Sequence, residues 1–349
     1  MILVIAEKPS VAQSIAKVLG ATSRKDGYME GGNYIVSWCF GHLVELADAS
    51  SYDERYAKWR YDDLPIVPES WMFEVTKDKA QQFKVLSSLM KDKRVTELVC
   101  ATDAGREGEL IFRLVYDKTG CTKPFKRLWI SSLEDSAIRE GFNHLRDGKE
   151  YDRLYEAALS RSKADWIVGI NGTRLFTTLY HKKLVVGRVQ TPTLAMLVER
   201  DGKISTFQKE KYFNVHVGKG DLTADLEKVK TEEEAKRIAA ACEKKQAVVS
   251  SLKRETKTVN PPKLYDLTTL QREANRYYGF TAQQTLDLVQ TLYEKKLLTY
   301  PRTDSQFITD DMEDTARQVI SIVCRQLPLF SDVSVTPDIA RVTNNSKVT

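Results

Sequence analysis

A continuous apolar run, Ile2-Leu3-Val4-Ile5-Ala6, opens the chain and stops at Glu7-Lys8-Pro9. Such a run reads as a strand buried on both faces. Pro9, then Val11, Ile15 and Val18-Leu19 at three-to-four spacing, and Gly20 as a stop, predict a helix directly after it. The same order returns at Val95–Ala101, a strand, followed by Thr102-Asp103-Ala104-Gly105-Arg106-Glu107-Gly108-Glu109 and a helical pattern through Leu110, Ile111, Leu114 and Val115. Ligands of open parallel sheets lie beyond the carboxyl ends of the strands, so both acidic turns share one edge if the two strands are neighbours.

Trp129-Ile130-Ser131-Ser132 and an amphipathic helix through Ala137, Ile138, Phe142 and Leu145 complete a first domain ending near Asp147-Gly148. Helical patterning resumes from Tyr151 to about Tyr180; Gly187–Pro192 breaks it, and a further helix is expected from Leu194 to Glu199. The period then changes. Phe213, Val215 and Val217 alternate with polar residues, and Ala247–Thr258 is rich in β-branched residues, so both stretches are expected to be strands. Between them Thr231-Glu232-Glu233-Glu234 opens a helix through Ala241 as a capping box. Val259-Asn260-Pro261-Pro262 marks a boundary. Two helices, Thr268–Tyr278 and Thr281–Leu298, joined at Gly279-Phe280, lead into Tyr300, an order like that of a winged-helix module. Pro301 pushes Tyr300 out of the helical region, so a strand or extended strip follows, with Tyr300, Arg302 and Asp304 on one face.

Composition narrows the class without fixing the function. The 349 residues, 42% hydrophobic and 29% charged, describe an ordinary globular protein with room for several domains. The first strand is too short for a signal peptide, and no apolar run is long enough to cross a membrane, so a cytoplasmic protein without a membrane partner is expected. Five scattered cysteines, none in a CxxC spacing, indicate neither a disulfide framework nor a zinc ribbon. Net charge is only +5, but Lys253–Arg302 carries nine basic residues against five acidic ones, compatible with a polyanionic partner.

Glu7, Asp103 and Glu107 form a candidate oxygen cage for a hard divalent cation, with Mg2+ expected. The alternative is that acids near helix N-termini only complement the macrodipole. Tyr300 is a candidate nucleophile. A phenol has a reference pKa of about 10, so it needs either a nearby cation such as Arg302 or a base that takes its proton. The polar and basic residues around Gly187–Pro192, at a helix N-terminus, suit phosphate contacts.

As a set these residues resemble the type IA DNA topoisomerases, most closely their topoisomerase III branch. Ile5-Ala6-Glu7-Lys8-Pro9-Ser10 is similar to the opening of the family's Toprim domain, Ala101–Glu109 to its acidic motif, Gly187-Arg188-Val189-Gln190-Thr191-Pro192 to its DNA-contacting segment, and Leu298–Asp304 to its active-site motif. The resemblance implies a multidomain α/β and α+β fold. Its expected parts are a Toprim domain over 1–148, a helical single-strand DNA-binding domain over 149–210, a β-containing arch segment over 211–259 and a winged-helix-like domain over 260–349. It also implies an ATP-independent reaction in which Tyr300 attacks single-stranded DNA and stays linked to the 5′ phosphate while another strand passes. Arg302 would hold the scissile phosphate. Lys8 would stabilise charge or protonate the leaving oxygen, Glu7 would lie between metal and proton-transfer roles, and Asp103 and Glu107 would hold Mg2+. Arg161, Asp165, Phe176 and Gly187–Pro192 would line the strand path, with Tyr61 a further aromatic candidate. A monomer is expected, with DNA as partner and a helicase as a further one.

Two departures stand out. The family's acidic motif carries a third acid where this chain has Gly105, and family members are much longer. An N-terminal fragment with an incomplete toroid, unable to relax supercoils alone, is therefore expected. The rivals are a Toprim-type nuclease with an incidental tyrosine and a single-strand-binding protein that never cleaves.

Overall fold

The computed structural model describes residues 1–131, 133–246, 248–330 and 337–348. They form two compact units, one of Met1–Arg188 with Pro262–Thr349, the other Val189–Pro261. The first unit is built on a seven-stranded sheet. Its strands are β1 (Ile2–Ala6), β2 (Ser23–Lys25), β3 (Tyr28–Gly31), β4 (Tyr34–Trp38), β7 (Glu97–Ala101), β8 (Phe125–Arg127) and β9 (Arg146–Asp147), in the spatial order β2-β3-β4-β1-β7-β8-β9. A separate pair, β5 (Val44–Leu46) and β6 (Phe73–Val75), runs antiparallel. β1 lies parallel to both β4 and β7, and β7 parallel to β8. Glu7 and Asp103, each just past its strand, therefore leave the sheet side by side.

Alternation along β1 supplies both layers. Leu3 and Ile5 join a core with α3 (Ala80–Lys91) and α4 (Arg106–Thr119), whereas Val4 and Ala6 face α1 (Pro9–Leu19) and α5 (Asp135–Asn143). A short helix, α2 (Ala49–Tyr52), follows β5. α1 begins on Pro9 and ends at Gly20, whose φ of 75° is the left-handed value that glycine takes without a Cβ penalty. The long helix α6 (Asp152–Tyr180) packs its first turns on the α4 layer through Ala158. Farther along, Asn171 accepts from Ile66 N at 2.6 Å and donates to Ile66 O at 2.8 Å, and Trp166 Nε1 donates to Ala47 O at 3.0 Å, which ties α6 to the 47–66 loop.

The second unit holds α7 (Gln190–Ser205), the hairpin β10 (Phe213–Lys219) and β11 (Leu222–Val229), and α8 (Glu232–Cys242). α7 starts at Gln190, earlier than the Leu194 expected, so Gln190, Thr191 and Pro192 form its first turn. The expected strand over Ala247–Thr258 is corrected: residues 248–258 form no regular element, and Ala247 lies outside the described residues. β10 pairs instead with β11 across a two-residue turn at Gly220-Asp221. A β-branched composition does not make a strand without a partner for its ladder.

In the first unit α9 (Leu267–Tyr278) and α10 (Ala282–Glu294) form a helical hairpin, and α11 (Glu313–Gln326) follows. Thr281 caps α10 in a full capping box with Gln284. α10 stops at Glu294, one turn before the expected Leu298, and the expected strand around Tyr300 does not form: residues 297–305 are bends and irregular backbone. Among the described residues no helix is long and apolar enough to cross a membrane.

Candidate active site

Tyr300 reaches the acidic edge of the sheet. Its backbone N–H donates to Ser131 O at 3.0 Å, and its ring meets the Tyr293 ring edge-on at 5.6 Å. Its hydroxyl lies within electrostatic reach of the Asp103 carboxylate. Asp103 N–H in turn donates to Glu7 Oε2 at 3.3 Å. Glu7 is only 7% exposed, so two carboxylates and a phenol share one poorly hydrated place.

The electrostatics follow from that crowding. Burial first, then the Asp103 charge, pushes Glu7 up to about 7; the Asp103 N–H, Lys8 and Arg302 pull against this. Burial also raises Asp103, with Lys8, the Tyr300 hydroxyl and Arg302 opposing. The Tyr300 phenol is held above its ordinary value by burial, then by the charges of Asp103 and Glu7. Arg302 acts in the other direction and does not win. Of the two ways to activate a phenol, a cation that favours phenolate or a base that takes the proton, the arrangement favours the base, and Asp103 is the carboxylate that acts most on that hydroxyl.

Lys8 sits at the start of α1 with its Nζ 3.7 Å from Glu294 Oε1, and Gln290 Nε2 fixes the same oxygen at 3.0 Å. Arg302 and Asp304 are both exposed. Glu107 does not join the acidic pair. It lies in the first turn of α4 with a 62% exposed side chain, 3.4 Å from His42 Nε2. Gly105, the α4 N-cap, is extended, so helical spacing does not relate Glu107 to Asp103. Among the described residues no three His, Cys, Asp or Glu side chains gather as a metal centre.

The scaffold under Asp103 had no signal in the sequence. Arg127, at the end of β8 and wholly buried, donates from Nη1 to Cys100 O, Thr102 O and Leu128 O at 2.8–3.0 Å and from Nη2 to Asp103 O at 2.7 Å. Its Nε stands 3.1 Å from Oε2 of the equally buried Glu109, whose other oxygen accepts from Arg113 Nε at 2.8 Å. Glu109, the last acid of the acidic turn, therefore neutralises two guanidinium groups. Gly108 serves the same place by absence. A Cβ built there would stand 2.1 Å from Asp103 O, whereas one at Gly105 meets nothing within 4 Å. Gly108→Ala should cost about 1–3 kcal/mol in urea unfolding through overpacking, and Gly105→Ala should change stability far less.

The expected strand-path residues are dispersed along α6 and after it. Arg161, Asp165 and Phe176 lie on that helix, and Arg188 Nε pairs with Asp165 Oδ1 at 2.7 Å. Thr173 Oγ1 accepts from Val186 N at 2.9 Å, and Thr177 Oγ1 from Leu184 N at 3.1 Å, which lays the segment before Gly187 back along the helix. Phe176 and Tyr61 are 41% and 57% exposed, open enough to stack on a ligand, but Phe176 stacks on Tyr180 here. Val189, Gln190, Thr191 and Pro192 belong to the second unit.

Comparison with known proteins matches these features to one family. Residues 2–133 match the Toprim domain and residues 149–348 the DNA topoisomerase family. DNA topoisomerase 3 of Staphylococcus haemolyticus is 47% identical over 320 residues, covering 90% of this chain and 45% of that protein. DNA topoisomerase 3 of Bacillus subtilis is 46% identical over 323 residues, covering 90% and 44%. Full-length topoisomerase I from Thermotoga maritima superposes with a TM-score of 0.68 over 97% of this chain and 58% of that one, at 24% identity, a likeness of fold. The chain spans a little under half the length of the two topoisomerase 3 relatives. With a Toprim domain ahead of the topoisomerase match and a tyrosine set over its acidic edge, the chain belongs to the type IA DNA topoisomerases.

Proposed function

We propose that this chain carries the strand-cleaving chemistry of a type IA topoisomerase on single-stranded DNA, with Tyr300 as nucleophile. The observation that carries this is Tyr300 held over the acidic edge by Ser131 O and the Tyr293 ring, where the Asp103 and Glu7 carboxylates, themselves joined through Asp103 N–H, act on its hydroxyl. Tyr300 Oη forms a bond to the scissile phosphorus as its proton passes to Asp103. The P–O3′ bond breaks, and the departing 3′ oxygen takes a proton from Glu7, which can hold one near neutrality. Religation is the reverse: the 3′ hydroxyl attacks the phosphotyrosine and both protons return. Lys8 and Arg302 offset the charge of the phosphate, and Arg161, Asp165, Phe176, Tyr61 and Gly187–Pro192 guide the strand. In the whole protein this cleavage would serve relaxation or decatenation in the cytoplasm.

The donor set suits one hard cation. Glu7 and Asp103 place two carboxylates together in a poorly hydrated place, and burial raises both. Mg2+ would be held by Asp103 and, while Glu7 carries no proton, by Glu7 as well, completed by water, with Glu107 outside the set; when bound it would offset phosphate charge. The four segments 1–148, 149–210, 211–259 and 260–349 remain our functional division.

The test is a 5′- or 3′-labelled single-stranded oligonucleotide incubated with the chain and Mg2+, then denatured. Wild type should yield a product covalently linked through a 5′ phosphate, and Tyr300→Phe none. Cleavage that persists in Tyr300→Phe would assign the chemistry to a metal-dependent nuclease instead.

A further inference from the structure

The turn that delivers Tyr300 contains an unusual residue. α10 ends at Glu294, and Lys296, two residues on, has a φ of 64°. Glycine adopts this left-handed backbone freely and lysine rarely, so a side chain kept there calls for an explanation. The turn itself is closed by Lys296 N–H to Tyr293 O and Leu297 N–H to Leu292 O, both at 2.9 Å, and neither bond uses the lysine side chain. That side chain instead reaches Asp135, 161 residues away in the first turn of α5, and forms an ion pair with it.

We propose that Lys296 is a positioning residue whose ion pair with Asp135 seats the Tyr300 turn on the Toprim sheet, a proposal that rests on the nucleophilic reading of Tyr300. Two other contacts lie on the same line. Tyr293, 4% exposed, is packed in the apolar cluster that contains Leu128, Leu133 and Ile138, and Tyr300 N–H bonds Ser131 O beyond it. The apolar plug gives the seat its bulk, and the ion pair fixes the rotation of the turn about it. The lysine and aspartate side chains are 29% and 38% exposed, so the pair is screened by salt and parts readily. That suits a contact released each time a cleaved strand is carried off, where the buried Glu109–Arg127 pair would not. Lys17 and Arg139 also act on Asp135, so a cycle of single and double variants is needed to isolate the share of Lys296.

The test compares Lys296→Gly, Lys296→Arg, Asp135→Asn and the double Lys296→Gly/Asp135→Asn with wild type by amide hydrogen exchange and by the rate of adduct formation on a labelled single-stranded oligonucleotide. In Lys296→Gly the Leu297 amide should stay as protected as in wild type or become more so, because glycine eases the backbone, while the Tyr300 amide should exchange about fivefold faster. Adduct formation should slow by a similar factor. Asp135→Asn should reproduce this, the double variant should add nothing further, and Lys296→Arg should retain wild-type behaviour. A Tyr300 amide that exchanges at the wild-type rate in Lys296→Gly overturns the seat, whatever the adduct assay gives. The expected exchange pattern with no adduct even from wild type supports the seat and removes the nucleophilic reading instead.

Discussion

Truncating Glu109 to alanine is expected to destabilise the first unit by about 3–5 kcal/mol in urea unfolding, the largest stability effect of any single substitution near the site. Glu109 and Arg127 are both wholly buried, with Arg127 Nε 3.1 Å from Glu109 Oε2. Removing the carboxylate leaves that guanidinium in the interior without its counter-charge and takes from Arg113 the acceptor of its Nε at 2.8 Å, leaving it Asp152 and Gly148 O. The consequence extends to the chemistry. Arg127 holds Asp103 O and Thr102 O, so a guanidinium that swings toward solvent takes with it the backbone that aims Asp103 at Tyr300. Glu109→Ala should therefore lose adduct formation at temperatures where it is still folded, as read by near-ultraviolet circular dichroism. Asp304→Ala, at an exposed position beside the same motif, should leave stability within about 0.5 kcal/mol of wild type. A wild-type unfolding midpoint for Glu109→Ala would mean that the pair contributes nothing over its desolvation cost.

What was legible in the sequence was the part written in local pattern. Ile2–Ala6 and Leu98–Ala101 are continuous apolar runs because parallel strands are covered on both faces, and each is followed by an acid where the chain leaves the sheet. That these edges coincide depends on β1 pairing with β7, a long-range register that no local pattern states. The hairpin partner β11 was within reach: Leu222, Ala224 and Leu226 alternate with polar residues after the Gly220-Asp221 turn. Glu107 belongs to the same acidic turn in sequence, but it lies in the first turn of the helix that Gly105 caps and its carboxylate stands beside His42, a rotation that the order of acids does not state. Arg127, Tyr293 and Lys296 were illegible because their work is done against residues far away in the chain. The arginine follows a phenylalanine and a lysine in a three-residue strand, where a charge would ordinarily face water.

Glu7→Gln is expected to stabilise the metal-free chain at pH 8, against the usual direction for a substitution at a buried polar site. The folded-state value of Glu7 is raised from 4.5 to about 7. A carboxyl shifted upward adds its full stabilisation below the unfolded value and loses it as the pH rises through the folded one, so stability falls between about pH 4.5 and pH 7. The upward shift of Asp103 acts in the same sense. Above that window an ionised Glu7 costs about 3 kcal/mol, because each tenfold change in proton affinity is worth about 1.4 kcal/mol. Glutamine keeps the shape and an acceptor oxygen for the Asp103 N–H without the charge. The variant should unfold at a higher urea concentration than wild type at pH 8, and the difference should close toward pH 4.5. Adding Mg2+ should reverse the order. A cation between Glu7 and Asp103 neutralises the like charges only where both are present, so wild type should gain more stability from it than Glu7→Gln does. A variant already less stable than wild type at pH 8 without metal would show that Lys8 and Arg302 compensate Glu7 fully. The cost of holding two carboxylates beside Tyr300 would then have to be sought elsewhere in the site.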